Sequence, residues 1–519
     1  MEIKKETSYT RNIKCSDVYT ESSVDYSLPD YLGDVRKILF SEATLRPSGR
    51  FAGGDEVEFS GVVVYNLIYL DSDGNLSSAE FTSDYDYSVK CSGDSYKDSV
   101  SDTRVSAFAI RLVGPRKISA RASLVGSVRL SEESSISVSG NAVAPDFAPE
   151  TSIKTARVRS SLVSSTVERE YAEQVASLEG AIADEVSLVY SYAEAIADSV
   201  SIEGESVNIK GRLRMSGVIK NEDQPTFGVE KIINFEESID FEGLSAEKCL
   251  TPKLMVSSLK SSVNASETGC DVVMNSVVEM SVVADYNENV DLLTDAYLKN
   301  APTENSYRDF EYQSLLDSST VRGTHNAELD RSEIESEALR EIILMTATPR
   351  VEKVEVSENG VNIIGEVRYS GVASDMNEDK ISYVSLKFAS PFVTNVNIDC
   401  QNVENIQVDA KVSASGASAS LDASKVYASC VLESSVIVCE ERCEKILSSF
   451  AMKENEKYES DGAKITVYYP SSDDTLFSVA KKYRTSVLKV AKDNEISESV
   501  FSAGNPDGKL TGVKKLIIY

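Results

Sequence analysis

Three stretches of the chain carry side chains of the kind that bind metals or move protons. Asp71-Ser-Asp-Gly-Asn-Leu-Ser-Ser-Ala-Glu80 is rich in carboxylates and amides, as a calcium loop is. An EF-hand loop needs glycine at its sixth position and a closing glutamate at its twelfth. Here Gly74 is fourth and Glu80 tenth, and the flanks alternate like strands, so a hairpin turn is expected. Cys439-x-x-x-Cys443 offers two thiolates. Structural zinc takes four ligands, and no second cysteine pair or histidine cluster accompanies them. Ordinary thiols at a strand end are expected. His325 is the single histidine and lies in Arg322-Gly-Thr-His-Asn-Ala327. A histidine working as acid or base needs a positioned nucleophile or carboxylate, and no Gly-x-Ser-x-Gly or Cys-His arrangement is near. An exposed loop histidine is expected. No Gly-Lys-Ser/Thr phosphate loop occurs. The 83 Asp and Glu residues leave no carboxylate pair singled out for glycoside hydrolysis. The expectation is a chain with no catalytic residue, no metal and no cofactor.

The strands around the Asp71 turn belong to a pattern that recurs. Residues 207–218 read Val-Asn-Ile-Lys-Gly-Arg-Leu-Arg-Met-Ser-Gly-Val, and residues 361–372 read Val-Asn-Ile-Ile-Gly-Glu-Val-Arg-Tyr-Ser-Gly-Val. A diverged copy runs from Val57 through Gly61 to Tyr69. The anchor glycines Gly61, Gly211 and Gly365 are 150 and 154 residues apart. A period of that size means tandem domains, not short solenoid units. Apolar and polar residues alternate in each copy, as in a half-buried strand. Val207, Ile209, Leu213 and Met215 point one way; Lys210, Arg212 and Arg214 point the other.

Length and charge bound the rest. A chain of 519 residues exceeds one core, and three to four domains are expected. The formal charge of −30 disfavours nucleic acid and anionic lipid as partners and favours basic protein surfaces, though its first expected role is only to keep a multidomain chain in solution. Mean hydropathy is −0.20, and no run of apolar residues is long enough to span a bilayer. Met-Glu-Ile-Lys-Lys-Glu-Thr leads into no apolar signal region, so a cytosolic protein is expected. The eight scattered cysteines agree, and are expected to be reduced.

Taken in order, residues 1–26 form an arm or an extra strand. Strand runs and turns define β-repeats at 27–135, 176–290 and 336–440. Polar connectors are expected at 136–175 and 291–335, with Ala327 to Arg340 a possible helix. Turns are expected at Asn221–Pro225 and Asn377–Asp379. A charged linker or short helix at 441–463 precedes a distinct module at 464–519. The fold class is thus multidomain and mainly β: three tandem β-sandwich-like repeats plus a small β-α-α-β domain.

In that module Ile465 to Tyr469 is a short strand. Leu476, Val479, Ala480 and Tyr483 lie on one helical face behind an N-cap at Asp474 or Thr475. Val487, Val490 and Ala491 face inward on a second helix that stops at Asn494. Leu516 to Tyr519 is the closing strand.

Asp474-Thr475-Leu476, Ala480 to Tyr483, Ser486-Val487, Asn494-x-Ile496 and Leu516-Ile517-Ile518 resemble the LysM family. That resemblance implies a groove for N-acetylglucosamine glycans between the loop before the first helix and the loop after the second. Here Asp473 stands where the family has glycine, Thr511-Gly512 replaces Pro-Gly, and Phe501 to Gly508 is inserted. The module's partner- or glycan-binding candidates are Asp474, Thr475, Leu476, Lys481, Asn494 and Ile496.

The Leu28-Pro29 start, the three anchor strands, the Phe-containing run after each hairpin and the terminal LysM together resemble the SPOCS-type spore-coat morphogenetic proteins of spore-forming Clostridia. The resemblance implies a non-enzymatic scaffold in the mother-cell cytoplasm, at the forespore surface. It would bind the coat-basement ATPase SpoIVA through LysM and tether the coat during sporulation, with other coat proteins or itself as further partners. The alternative is a peptidoglycan-binding LysM protein of the cell wall or spore cortex.

Overall fold

The computed structural model describes residues 5–91, 96–140, 149–221, 224–244, 248–334, 336, 338–357, 359–377, 380–398, 405–453, 465–471, 473–496, 509–510 and 513–519. Among these the chain is mainly β, in several separate sheets, with two short helices. No described helix is long and apolar enough to cross a membrane.

The strands fall into three segments of the same order. The first opens with β1 (Lys5–Lys14) and β2 (Val18–Ser27). A meander follows, of β3 (Val35–Gly53), β4 (Glu56–Asp71) and β5 (Leu76–Lys90), and then a hairpin, β6 (Tyr96–Gly114) and β7 (Lys117–Gly140). The second has β8 (Glu150–Val163) and β9 (Val167–Glu179), the meander β10 (Val186–Glu203), β11 (Ser206–Asn221) and β12 (Gln224–Asp240), and the hairpin β13 (Cys249–Ala265) and β14 (Gly269–Tyr297). The third replaces the opening pair by one strand, β15 (Thr303–Asp330). Its meander is β16 (Leu339–Ser357), β17 (Gly360–Asn377) and β18 (Lys380–Val396), and its hairpin β19 (Ile406–Leu421) and β20 (Lys425–Met452).

The anchor motif is the central strand of each meander. Val207, Ile209, Leu213 and Met215 are all fully buried, as the alternation requires. The ladder explains the glycine. Gly61, Gly211 and Gly365 stand opposite Tyr85, Phe235 and Phe392 on one side. On the other side the first strand bulges at the same point in all three meanders, just after Pro47, Ala197 and Val351. A Cβ on Gly211 would lie 2.3 Å from the Ile196 carbonyl oxygen and 2.5 Å from the Phe235 ring. The aromatic ring covers the glycine, so the position needs hydrogen on one strand and a large flat side chain on the next.

Each meander lies over its own hairpin sheet. Val63 and Tyr65 meet Ile118 and Leu124; Ile209 and Leu213 meet Val272 and Met274; Ile363 and Val367 meet Val426 and Val436. Each such aliphatic side chain contributes about 1.5–3 kcal/mol on burial. The long strands β7, β14 and β20 organise the second layer. One flank of each pairs with the preceding hairpin strand. The other flank pairs with the opening strands of the same segment.

The opening strands correct four expectations. Where an arm or one extra strand is expected, residues 5–14 and 18–27 form two strands of a sheet, with residues 1–4 outside the described residues. The connector expected at 136–175 holds the end of β7, β8 and most of β9, with residues 141–148 outside the described residues. The connector expected at 291–335 holds the end of β14 and all of β15; in place of a helix after Ala327 there is a single 3-10 turn, Arg331–Glu333. The linker expected from 441 begins as twelve more residues of β20, while residues 454–464 lie outside the described residues. The physical reason is clearest in β9, whose mostly exposed or half-buried pattern leaves apolar alternation faint, so its backbone ladder to β14 holds it; the ends of β14 and β20 instead bury side chains such as Leu292 and Ile446 against other segments. Glu222–Asp223 and Glu378–Asp379, in the expected turns, are outside the described residues.

The segments close on one another. The ends of β7 and β20 pair in parallel, Gly140 with Phe450, which joins first segment to third. Two cores are shared by all three. One contains Leu39, Val189 and Ile343, then Phe40, Tyr190 and Leu344, then Ile68, Val218 and Val372. Every triplet is spaced by 150 and 154 residues, as the anchor glycines are. The other shared core gathers Tyr9, Ile136, Val158, Leu292, Phe310 and Ile446 from the far ends of the long sheets. Related surfaces thus meet about a common axis.

The last module contains β21 (Thr466–Tyr468), α1 (Leu476–Lys482), α2 (Val487–Asp493) and β22 (Leu516–Ile518), with β21 antiparallel to β22. Leu476, Val479, Ala480, Val490, Ala491, Leu516 and Ile518 form its core, as the helical spacing requires.

Candidate docking face of the C-terminal module

The six residues singled out in the module all have intramolecular work. Thr475 caps α1: its Oγ1 accepts from the Ser478 N–H at 3.0 Å, and Ser478 Oγ accepts from the Thr475 N–H at 3.0 Å, a reciprocal capping box. Asp474 Oδ2 accepts from the Ser471 N–H at 2.8 Å and the Tyr468 hydroxyl at 2.7 Å. Those bonds, the Ser471 amide first, hold its carboxyl below the usual range. Leu476 is in the core. Asn494 joins α2 to β22: its Nδ2 donates to the Val490 and Ile517 carbonyls at 2.9 and 2.8 Å, and its Oδ1 accepts from the Ile517 N–H at 2.6 Å. Ile496 packs half-buried against the core, its N–H donating to the Ala491 carbonyl at 2.9 Å.

Lys481 reaches out of the module. Its Nζ lies 2.5 Å from Asp295 Oδ2, near the end of β14. Beside it Tyr297 donates its hydroxyl to the Thr485 carbonyl at 2.6 Å, packs edge-on against Phe477, and belongs to the module's core. The module is therefore seated on the second segment through α1 and the turn after it. Sequence reading did not single out Asp295 or Tyr297, which lie about 190 residues from their partners.

The opposite face of the module is open. Val467 and Ile517 are register partners in the two-stranded sheet, and both lie on the side away from Tyr468, Leu516 and Ile518. With them alternate Ile465, Tyr469 and Tyr519. Ile465 is 60% exposed, Val467 51%, Tyr469 72% and Tyr519 58%. Exposed Lys514 and Lys515 lead into β22. The module carries nine Lys and Arg against six Asp and Glu over residues 464–519, a basic unit on a chain of formal charge −30. Of the departures from the LysM pattern, Phe501 to Gly508 and Thr511-Gly512 lie outside the described residues.

The other chemistry-bearing residues are used structurally. Asp71 Oδ1 accepts from the Asp73 and Asn75 amides at 3.0 and 2.8 Å, inside a turn where Gly74 takes φ +86°. His325 is on β15, half-buried, not in an exposed loop. Its Nε2 donates to the Pro391 carbonyl at 3.2 Å, which leaves Nδ1 to accept the Tyr369 hydroxyl at 2.9 Å. Cys439 and Cys443 lie within β20 rather than at its end. Burial pushes the Cys439 thiol up to about 11, against the pull of Arg159, whose Nη1 lies 3.0 Å from the sulfur. The seven described cysteines are free; Cys400 is outside the described residues. Among the described residues no three His, Cys, Asp or Glu side chains converge as metal ligands. No protein-family model, curated protein or solved structure matches the chain.

Proposed function

We propose that the chain is a SipL-like spore-coat assembly scaffold without catalysis of its own, and that its C-terminal module, read as a LysM domain, docks the coat-basement ATPase SpoIVA. The observation that carries this reading is the open apolar sheet face of the module, Ile465, Val467, Tyr469, Ile517 and Tyr519. Large apolar side chains grouped on one exposed face are the usual mark of a protein-docking surface. The six loop and helix residues expected to touch a ligand are engaged within the chain, so contact through this sheet leaves the module's fold intact. The three β-segments, read as SPOCS-type repeats, serve as the body that the module anchors.

The test uses the full-length chain, retained on immobilised SpoIVA and, in parallel, on insoluble peptidoglycan. Retention on SpoIVA is expected, with a loss of at least tenfold for Val467→Asp and for Tyr469→Asp and unchanged circular dichroism. Retention on peptidoglycan that free chito-oligosaccharide competes away, with none on SpoIVA, replaces this reading by the wall-binding one.

A further inference from the structure

The hairpin sheets of the three segments also meet at equivalent positions of opposite charge. Ser127 on β7, Ser281 on β14 and Ser435 on β20 are spaced by 154 residues each time. Their register partners on β6, β13 and β19 are Asp102, Lys253 and Lys411. The fold gathers these three. Lys411 Nζ is 2.6 Å from Asp102 Oδ2, and Lys253 Nζ donates to the neighbouring Ser101 carbonyl at 2.8 Å. All three line one open cavity of about 1160 Å³, walled by every segment.

Charge in this cavity runs against the rest of the chain. Seven Lys and Arg line it against six Asp and Glu, within a molecule of formal charge −30. The acids are largely committed. Asp285 is held by Arg129 and Arg159 at 3.0 and 3.1 Å, Asp409 by Arg159 at 3.3 Å, and Asp198 and Glu433 by Arg322. Asp17 accepts from Ser127 Oγ at 2.7 Å. Lys253 forms no ion pair among the described residues, its Nζ bonding only a carbonyl. In the wall, Arg159 is 3% exposed, and its Nη2 faces Asp285 Oδ1 at 3.1 Å.

We propose that this axial cavity binds a small multivalent anion of the phosphate class, held between the Lys253 and Lys411 ammonium groups. Ammonium groups act as point charges toward phosphate oxygens, and of the Thr320 and Ser435 hydroxyls, bonded to each other at 3.0 Å on the same wall, the one that accepts keeps its proton to donate. Burial and then the Lys411 charge push the Lys253 ammonium down to about 8, with Asp102 opposing and Arg129 and Arg50 adding to the repulsion. An anion between the two lysines relieves that repulsion. The cavity exceeds the size of bare phosphate and leaves room for an organic remainder.

The experiment titrates the full-length chain into inorganic phosphate and, separately, glycerol 3-phosphate, read by phosphorus NMR at constant ionic strength. Saturable broadening is expected for at least one, and the tighter binder identifies the free anion or the ester as its source. Lys253→Met and Lys411→Met should each weaken binding at least tenfold, Lys253→Arg should retain it, and the exposed control Lys90→Met should leave it unchanged. Melting curves verify that each variant folds; Lys253→Met removes a half-buried charge and should melt no lower than the parent. No saturable binding of either probe overturns the proposal. So does binding that folded Lys253→Met and Lys411→Met both keep.

Discussion

Glu42 shows how a single side chain can oppose the contact it occupies. It lies in the wall of a cavity of about 250 Å³ together with Glu194, and accepts the Tyr190 hydroxyl at 2.8 Å. Burial raises its pKa above the ordinary 4.5, the Tyr190 hydrogen bond opposes, and the Glu194 charge raises it further. A carboxyl whose folded pKa is raised binds its proton more tightly folded than unfolded. Its contribution to stability is therefore complete below the unfolded value and lost as pH rises through the folded one. At neutral pH, above the unfolded value, the site is therefore a cost. Glu42→Gln keeps an oxygen for the Tyr190 hydroxyl and removes the charge, so it should raise the urea midpoint at pH 7, with the gain shrinking toward pH 4. A gain equal at both pH values would trace the effect to packing instead of ionisation.

At the scale of the element, the anchor strand rests on a pairing between glycine and an aromatic ring. Gly211→Ala would drive a methyl group against the Ile196 carbonyl and the Phe235 ring, both closer than 3 Å. Forcing that volume in should cost about 1–3 kcal/mol, read from equilibrium denaturation. Phe235→Leu, made in the same background, should recover part of it by freeing the space over the glycine. An alanine variant as stable as the parent would mean that the bulge after Ala197 absorbs the methyl group. The glycines, their spacing and the alternating faces of the anchor strands were legible in the residues themselves. The rings that cover them were visible only as aromatic-bearing runs after each hairpin. Of the opening strands, only an extra strand within residues 1–26 was legible. From Glu168 to Glu173 only Tyr171 packs on the core, the rest being charged or small, and the ladder to β14 does most to make them a strand. In the module the caps expected at Thr475 and Asn494 stand where α1 begins and α2 ends, while Leu476 and Lys481 lie within α1. Their partners within the chain, such as Asp295 for Lys481, depend on the seating of one unit upon another and leave no local mark.

For the whole molecule the question is whether three related segments behave as three domains or as one body. Tandem copies joined only by connectors would unfold one by one. Here two cores take side chains from every segment, and β7 joins β20 directly. Asp285 stands where the segments meet: fully buried, it holds Arg129 of the first, Arg159 of the second and, through Arg159, Asp409 of the third. Removing one partner of a buried ionic cluster leaves charge without compensation and typically costs about 3–5 kcal/mol. If the segments are one cooperative unit, Asp285→Ala should move a single unfolding transition to lower denaturant without splitting it. Fluorescent labels on separate segments should report the same midpoint. Cleavage to residues 1–300 should then expose Leu39, Phe40, Val189 and Tyr190, which the third segment covers, and yield a fragment that self-associates. A monomeric fragment with the parent's midpoint, or an Asp285→Ala variant whose labels melt apart, would establish three independent domains in contact, with the shared cores adding little to their stability.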